Sequence, residues 1–310
     1  MQRSVAILCS GQGGQHADMF ALVADRPEAQ DIFREAAVLL GADPREYVRH
    51  ATDDLLYSNR CGQILCSTLA LAIGTLVAHT GVRLICAGYS VGELAAWGIA
   101  GCFSTRQVLH LAARRAELMD RVSPPDAGLA GIAGLPDTRL RALVAQTGTF
   151  IAIRNGQDAA VIGGLRPALI QAVADAKHMG AATARLLHVA VPSHTPLLHE
   201  AVAPFREYLY ALHPNTPLST VRLLSGLDGE PIFHVTDGCD RLAAQVAATV
   251  RWDACMQACG EADAACVLET GPGNALSRMM RATLPNLPVH AAEDFHGVEG
   301  MLRWIGRMTQ

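Results

Sequence analysis

Lysine is almost missing from this 310-residue chain; it occurs once, at Lys177, so 24 of the 25 basic residues (25 less that one) are arginine. Charge is sparse altogether: 17% of residues are charged, the net charge is −4, and no block of one sign occurs. That pattern argues against a nucleic-acid face and against docking on an anionic membrane. Long apolar runs are lacking too. The longest, Ile64 to Val77, is interrupted by Cys66, Ser67, Thr68, Gly74 and Thr75 and is too short to span a bilayer. The first apolar stretch is too short for a signal peptide. Nine cysteines, an odd number, form no C-x-x-C pair and sit mostly inside apolar runs, which predicts reduced thiols in a cytoplasmic protein. Cys255 and Cys259 lie one helical turn apart with no histidine pair nearby, so no metal site is expected.

What is present in quantity is hydrophobic residue, half of the chain, enough for a large core in one domain or one domain with an insertion. The stretch that organises the rest is Arg83 to Trp97. Leu84 to Ala87 has the length of a buried strand, Gly88-Tyr89-Ser90-Val91-Gly92 follows, and Glu93 to Trp97 begins a helical pattern. This is the G-x-S-x-G nucleophile elbow in its proper context of strand, tight turn and helix. The glycines are expected to permit a sharp bend that lifts the Ser90 hydroxyl clear of the sheet. The free N–H groups of the following helix are expected to face a developing oxyanion. One oxyanion donor is then the N–H of Val91, the residue after the serine. The second must come from another loop, and Gln12, in the glycine-rich turn Ser10 to Gln15 after a first strand Ser4 to Cys9, is the candidate.

Ser104 to Gln107 spells a capping box that opens a helix to about Val122. Arg115 falls on the apolar stripe marked by Val108, Leu111, Ala112, Met119 and Val122. A guanidinium on a buried face needs an anion. Two readings stand: an ion pair with a core carboxylate, or a clamp for a substrate carboxylate, whose two oxygens match the arginine fork. Further on, Val191 to Pro196 places His194 just ahead of a predicted helix, with Thr195 as N-cap and Pro196 as first helical residue. The positive end of that helix is expected to keep the ring neutral, as a general base must be. His188 and His199 are its nearest rivals.

The order of elements implies the fold. Strands alternating with helices predict an α/β core with a mostly parallel sheet covered on both faces. Between the linker Ser123–Gly128 and Val191 the order is β-α-β-β-α-β, which matches a ferredoxin-like unit. The expected organisation is a core of residues 1–126 and 192–310 with an inserted subdomain at 127–191.

With Gly11-Gln12-Gly13, the Ser90 elbow, Arg115 in R-x-x-x-M and His194 in this order, the chain resembles the malonyl-CoA:acyl-carrier-protein transacylase family almost end to end. Val250-Arg251-Trp252 and Glu269-Thr270-Gly271-Pro272-Gly273 match family motifs, and Gln63 and Asn155 match polar positions near the family's site. The resemblance implies an α/β-hydrolase-like core carrying a ferredoxin-like insertion. It implies that Ser90 is acylated from malonyl-CoA with His194 as base and no bound cofactor, and that Arg115 holds the malonyl carboxylate. Gln12 and Val91 would form the oxyanion hole, and a backbone carbonyl near Val250-Arg251 would orient His194. The acceptor would be the thiol of an acyl carrier protein. Three departures stand out: Tyr89 replaces the usual histidine, Cys9-Ser10 replaces Phe-Pro, and Ala116 replaces a glycine. The Gly-Tyr-Ser-Val-Gly-Glu form looks most like the epsilon-type subunit of malonate decarboxylase, which implies that system's carrier subunit as partner. The general transacylase of fatty-acid or polyketide synthesis is the alternative, and a serine thioesterase or esterase a more distant one.

Overall fold

The computed structural model describes residues 3–310. Among the described residues, ten strands form two sheets. The first contains β1 (Ser4–Cys9), β2 (Arg83–Gly88), β7 (Val221–Leu223), β9 (Ala264–Glu269) and β10 (Val289–Ala291), in the order β10-β9-β1-β2-β7, all parallel. β1 and β9 are buried almost throughout, as near-continuous apolar runs covered on both faces must be. The parallel direction has a functional consequence. The C-terminal ends of β1, β2 and β9 lie side by side, with Cys9 in register with Gly88 and Leu8 with Glu269. The turns that follow them, at Ser10, Tyr89 and Thr270, therefore meet at one edge, where ligands bind in open α/β sheets.

The helix Asn59–Ala78 fills the space behind this edge. At 20 residues it is longer than the apolar run inside it, and it is long and apolar enough to cross a membrane. However, 83% of its most apolar window is buried inside the protein, against the elbow helix Gly92–Ile99 and the helix Thr105–Val122. Ser104 makes the capping box foreseen for Thr105–Val122: its hydroxyl accepts from the Gln107 N–H while the Gln107 side chain accepts from the Ser104 N–H.

The second sheet comprises β3 (Ala127–Ala133), β4 (Phe150–Arg154), β5 (Ala159–Leu165) and β6 (Thr183–Leu186) in the antiparallel order β6-β3-β5-β4. The helices Asp137–Thr147 and Arg166–His178 cover it. This is the ferredoxin-like order, but the sheet has a fifth member. β8 (Val250–Arg251) pairs parallel with β4, Ile153 opposite Val250. The segment 127–191 thus shares its sheet with a strand contributed by the C-terminal part of the chain. β8 also separates the helices Val235–Ala244 and Trp252–Glu261. β6 ends at Leu186, short of the Val191 expected from the sequence, and the chain turns towards the site through Pro192 to Thr195.

Candidate active site

Ser90 sits at the turn between β2 and the elbow helix with φ at 57°, in the left-handed region where a non-glycine residue is strained. The flanking glycines serve a different purpose from the one foreseen. Neither Gly88 nor Gly92 has a positive φ. They are required by close approach: a Cβ on Gly88 would lie 2.0 Å from the Glu93 nitrogen, and one on Gly92 2.1 Å from the Cys9 carbonyl oxygen. The strain is thus carried by the serine itself, and the glycines let three backbone segments crowd beneath it.

The elbow-helix N–H groups are also disposed differently. Gly92 donates to the Tyr89 carbonyl and Glu93 to the Ser90 carbonyl. Among the described residues, the N–H groups of Val91 and Gln12 have no hydrogen-bond partner. They are the two donors named for the oxyanion hole. The Gln12 side chain is anchored away from this position, its Nε2 donating to the Asn59 carbonyl.

His194 lies 104 residues further along, with its Nε2 2.7 Å from Ser90 Oγ. Its Nδ1 is 2.6 Å from the backbone carbonyl of Gln245. A carbonyl can only accept, so Nδ1 carries the proton and Nε2 presents a lone pair to the hydroxyl. The orienting carbonyl was placed near Val250-Arg251 by resemblance; it belongs to Gln245, at the end of the helix that precedes β8. The His194 N–H donates to the Val246 carbonyl and holds the residue at φ 63°. The imidazole is pushed down to about 3, first by burial and then by the charge of Arg115, against the pull of the Gln245 carbonyl. The neutral ring expected from a helix dipole therefore has another cause. Thr195 does not cap through its side chain, which donates to the Pro192 carbonyl, and Pro196–Leu198 is a single 3₁₀ turn before the helix His199–Ala211.

Arg115 is 1% exposed. Nη1 donates to Gln63 Oε1 at 2.9 Å and Nη2 to Gln245 Oε1 at 3.2 Å, while Nε has no acceptor. Among the described residues no carboxylate lies within ion-pair distance of it. The first reading, a direct core ion pair, is therefore not what the structure contains. Burial lowers the guanidinium to about 10, opposed by the charge of Glu93. Gln63 in turn donates to Asn59 Oδ1.

Ser90 and His194 border a cleft of about 1620 Å³ between the two sheets. Ser90, His194, Gln12, Tyr89 and Asn155 line it, while Arg115, Gln63 and Val91 lie behind the lining. Asn155 comes from the turn between β4 and β5, and its buried Oδ1 has no partner. Tyr89 packs edge-on against Trp252, ring centres 5.4 Å apart, and burial raises its hydroxyl, with the Asn155 side chain pulling the other way. Beneath the loop after β1, Glu269 at the end of β9 accepts from Ser10 Oγ and from the N–H groups of Leu276 and Ser277. One buried carboxylate thus fixes the glycine-rich turn to the start of the helix Ala275–Thr283. Of the nine cysteines, all free, eight are buried; Cys61 is half-buried.

Two residues at the centre escaped the sequence reading. Gln245 gives its carbonyl to His194 and its side chain to Arg115, and Glu93 accepts from Gln245 Nε2 at 2.5 Å. A signal for each existed: both are single polar residues in otherwise apolar segments, Glu93-Leu-Ala-Ala-Trp and Leu-Ala-Ala-Gln245-Val-Ala-Ala.

The geometry is that of an acyl-transferring serine enzyme, and comparison with known proteins agrees. Residues 7–294 match the acyl transferase domain family. The malonyl CoA-acyl carrier protein transacylase of Mycobacterium tuberculosis is 27% identical over 299 residues, covering 93% of this chain and 96% of that one. The Haemophilus influenzae protein of the same name is 27% identical over 314 residues, covering 97% and 99%. The solved acyl-carrier-protein S-malonyltransferase of Burkholderia pseudomallei superposes with a TM-score of 0.89 at 28% identity, covering 97% of this chain and 99% of its own. The Coxiella burnetii transacylase gives 0.91 at 25%, covering 100% and 99%. With the family model spanning nearly the whole chain and the Ser90–His194 pair at its centre, this protein belongs to the acyl transferase domain family.

Proposed function

We propose that the protein transfers a malonyl group from malonyl-CoA, through malonyl-Ser90, to the thiol of an acyl carrier protein. The observation that carries this reading is Arg115, a buried cation joined through Gln245 to the catalytic pair, with an unpaired N–H and, among the described residues, no carboxylate within ion-pair distance. An acyl group that brings its own carboxylate completes that environment; a neutral acyl group leaves it unsatisfied.

The chemistry follows from the hydrogen bonds. Ser90 Oγ attacks the thioester carbonyl while its proton passes to His194 Nε2, and the Gln245 carbonyl stabilises the imidazolium that forms. The oxyanion takes the N–H groups of Gln12 and Val91. Collapse breaks the C–S bond, and His194 returns the proton to the departing CoA thiol. The second half runs in reverse: His194 deprotonates the carrier thiol, whose sulfur attacks malonyl-Ser90. The cleft exceeds the usual 300–1,000 Å³ of small-ligand sites, as a long thioester arm requires.

The transacylases compared above support a general malonyl-CoA:acyl-carrier-protein transacylase over a protein dedicated to malonate decarboxylase. One observation favours the specialised reading, the Gly88-Tyr89-Ser90-Val91-Gly92-Glu93 form with tyrosine packed on Trp252. Buried free thiols support a cytoplasmic setting for either. The test is malonyl transfer from malonyl-CoA to the holo carrier of fatty-acid synthesis and, in parallel, to a malonate decarboxylase carrier subunit. Preference for the first carries the general reading and preference for the second the specialised one. Release of free malonate without transfer to either would make the protein a thioesterase.

A further inference from the structure

Glu93 is 1% exposed and takes no part in the chemistry above; among the described residues its Oε1 has no hydrogen-bond partner, and its contacts run through Oε2. Its Oε2 accepts from the Gly226 N–H at 3.1 Å and from Gln245 Nε2 at 2.5 Å. The approach is so close that a Cβ on Gly226 would lie 2.5 Å from this oxygen. Gln245, fully buried, therefore has a side-chain amide with one allowed orientation. Its Nε2 faces two acceptors, Glu93 Oε2 and, at 3.4 Å, the Ser90 carbonyl, while its Oε1 faces the Arg115 guanidinium. Turning the amide over would set oxygen against two oxygens and N–H groups against N–H groups.

We propose that Glu93 is a positioning residue for acyl-group selectivity, fixing the Gln245 amide so that Gln245 and Gln63 aim the Arg115 fork at the carboxylate of the incoming acyl group. The proposal rests on the function given above and extends it to a residue that touches neither substrate nor reacting atoms. It assigns the task to hydrogen-bond acceptance and not to charge. Burial pushes the Glu93 carboxyl up to about 8, with the Gly226 and Gln245 donors and Arg115 pulling it down. Because Oε2 meets two N–H groups, it is an acceptor in the ionised and the neutral form alike. The hold on Gln245 therefore does not depend on the protonation state.

Two mild substitutions separate acceptance from charge. Glu93→Gln removes the charge but keeps a carbonyl oxygen at the Oε2 position, held there by the Gly226 N–H. Glu93→Asp keeps the charge but withdraws the oxygen by one methylene, out of reach of Gln245. Steady-state transfer from malonyl-CoA and from acetyl-CoA is measured for both variants, with the melting temperature. Glu93→Gln is expected to keep the malonyl-over-acetyl ratio of kcat/KM within about two-fold of wild type. Glu93→Asp is expected to lower it about ten-fold or more, chiefly through a higher KM for malonyl-CoA, as the loss of one hydrogen bond in a charged network implies. The opposite pattern, Asp tolerated and Gln not, would make Glu93 a counter-charge and overturn the proposal. So would a ratio unchanged in both variants, or equal loss of both donors with a lowered melting temperature, which would be a packing effect. Failure of the underlying reading shows separately, in the wild-type protein, as no preference for malonyl-CoA over acetyl-CoA.

Discussion

Replacing Arg115 with alanine tests the reason for burying a cation beside a serine nucleophile. In the free protein its fork is met by two neutral amide oxygens, Gln63 Oε1 and Gln245 Oε1, and its Nε is left over. A malonyl carboxylate would add charge-assisted hydrogen bonds that an acetyl group cannot make. Removing one partner of a buried charged pair costs about 2–4 kcal/mol, so kcat/KM for malonyl-CoA should fall roughly thirty- to thousand-fold. Acetyl transfer should fall far less or improve, since the site no longer holds an unpaired guanidinium against a neutral group. Stability is expected to drop too, because the variant strips a donor from two buried amide oxygens, each worth about 1–3 kcal/mol when left bare. A lower melting temperature alone therefore decides nothing; the ratio of the two donors does. Arg115→Lys should recover part of the malonyl preference, because an ammonium supplies the charge but not the planar fork. The assay is initial-rate transfer with both donors on one preparation of each variant. Equal fractional losses with malonyl-CoA and acetyl-CoA would refute the clamp.

The nucleophile is checked by mass: malonyl-CoA should add one malonyl group to the peptide containing Ser90, and equal labelling of Ser90→Ala would place the acyl group elsewhere. His194→Ala should slow acylation by roughly a hundred-fold or more, with His199→Ala as the control for the rival histidine. The pH profile is more specific, because His194 is held down at about 3 by burial and by Arg115. Acylation needs the neutral ring, so its rate should stay level as pH falls through 6.5 and fail only near that depressed value; half-loss near 6.5 would contradict the burial argument. The same shift has a sign for stability. Below pH 6.5 the unfolded chain binds a proton at this position that the folded protein refuses, so His194 should make denaturant stability decline as pH falls through 6.5.

Local patterns carried most of the fold. The apolar run before Ser90, the capping box at Ser104 and the β-α-β-β-α-β order each depend on neighbours in sequence, and each appears in the structure near its expected bounds. β8 is marked in the sequence only by the match of Val250-Arg251-Trp252 to a family motif, because a two-residue strand has no period of its own and exists by pairing with β4, almost a hundred residues earlier. The site divides in the same way. Ser90 announces itself through the elbow, since the crowding at Gly88 comes from Gly92 and Glu93 within five residues, although that at Gly92 comes from Cys9 and Ser10 at the end of a distant strand. Arg115 could be placed on a buried face by periodicity, but not told apart from a core ion pair. That distinction depends on Gln63, 52 residues before it, and on Gln245, 130 residues after it.

Gln245 shows why the remainder was hidden. Its most important atom for catalysis is a backbone carbonyl, which every residue type possesses, so no side-chain pattern could single it out. Its side chain does carry a signal, a lone amide among alanines and valines, but that becomes meaningful only once Glu93 and Arg115 are seen on either side of it. The consequence for substitution is specific. Changing the Gln245 side chain should alter which acyl group is accepted, while His194 keeps its carbonyl and its orientation. Gln245→Met is therefore expected to lower the malonyl-over-acetyl ratio while leaving the pH dependence of acylation as in wild type. In that background Glu93→Asp should cause no further loss of the ratio, because the amide it positions is gone. A second, additive loss would mean that Glu93 reaches Arg115 by another route.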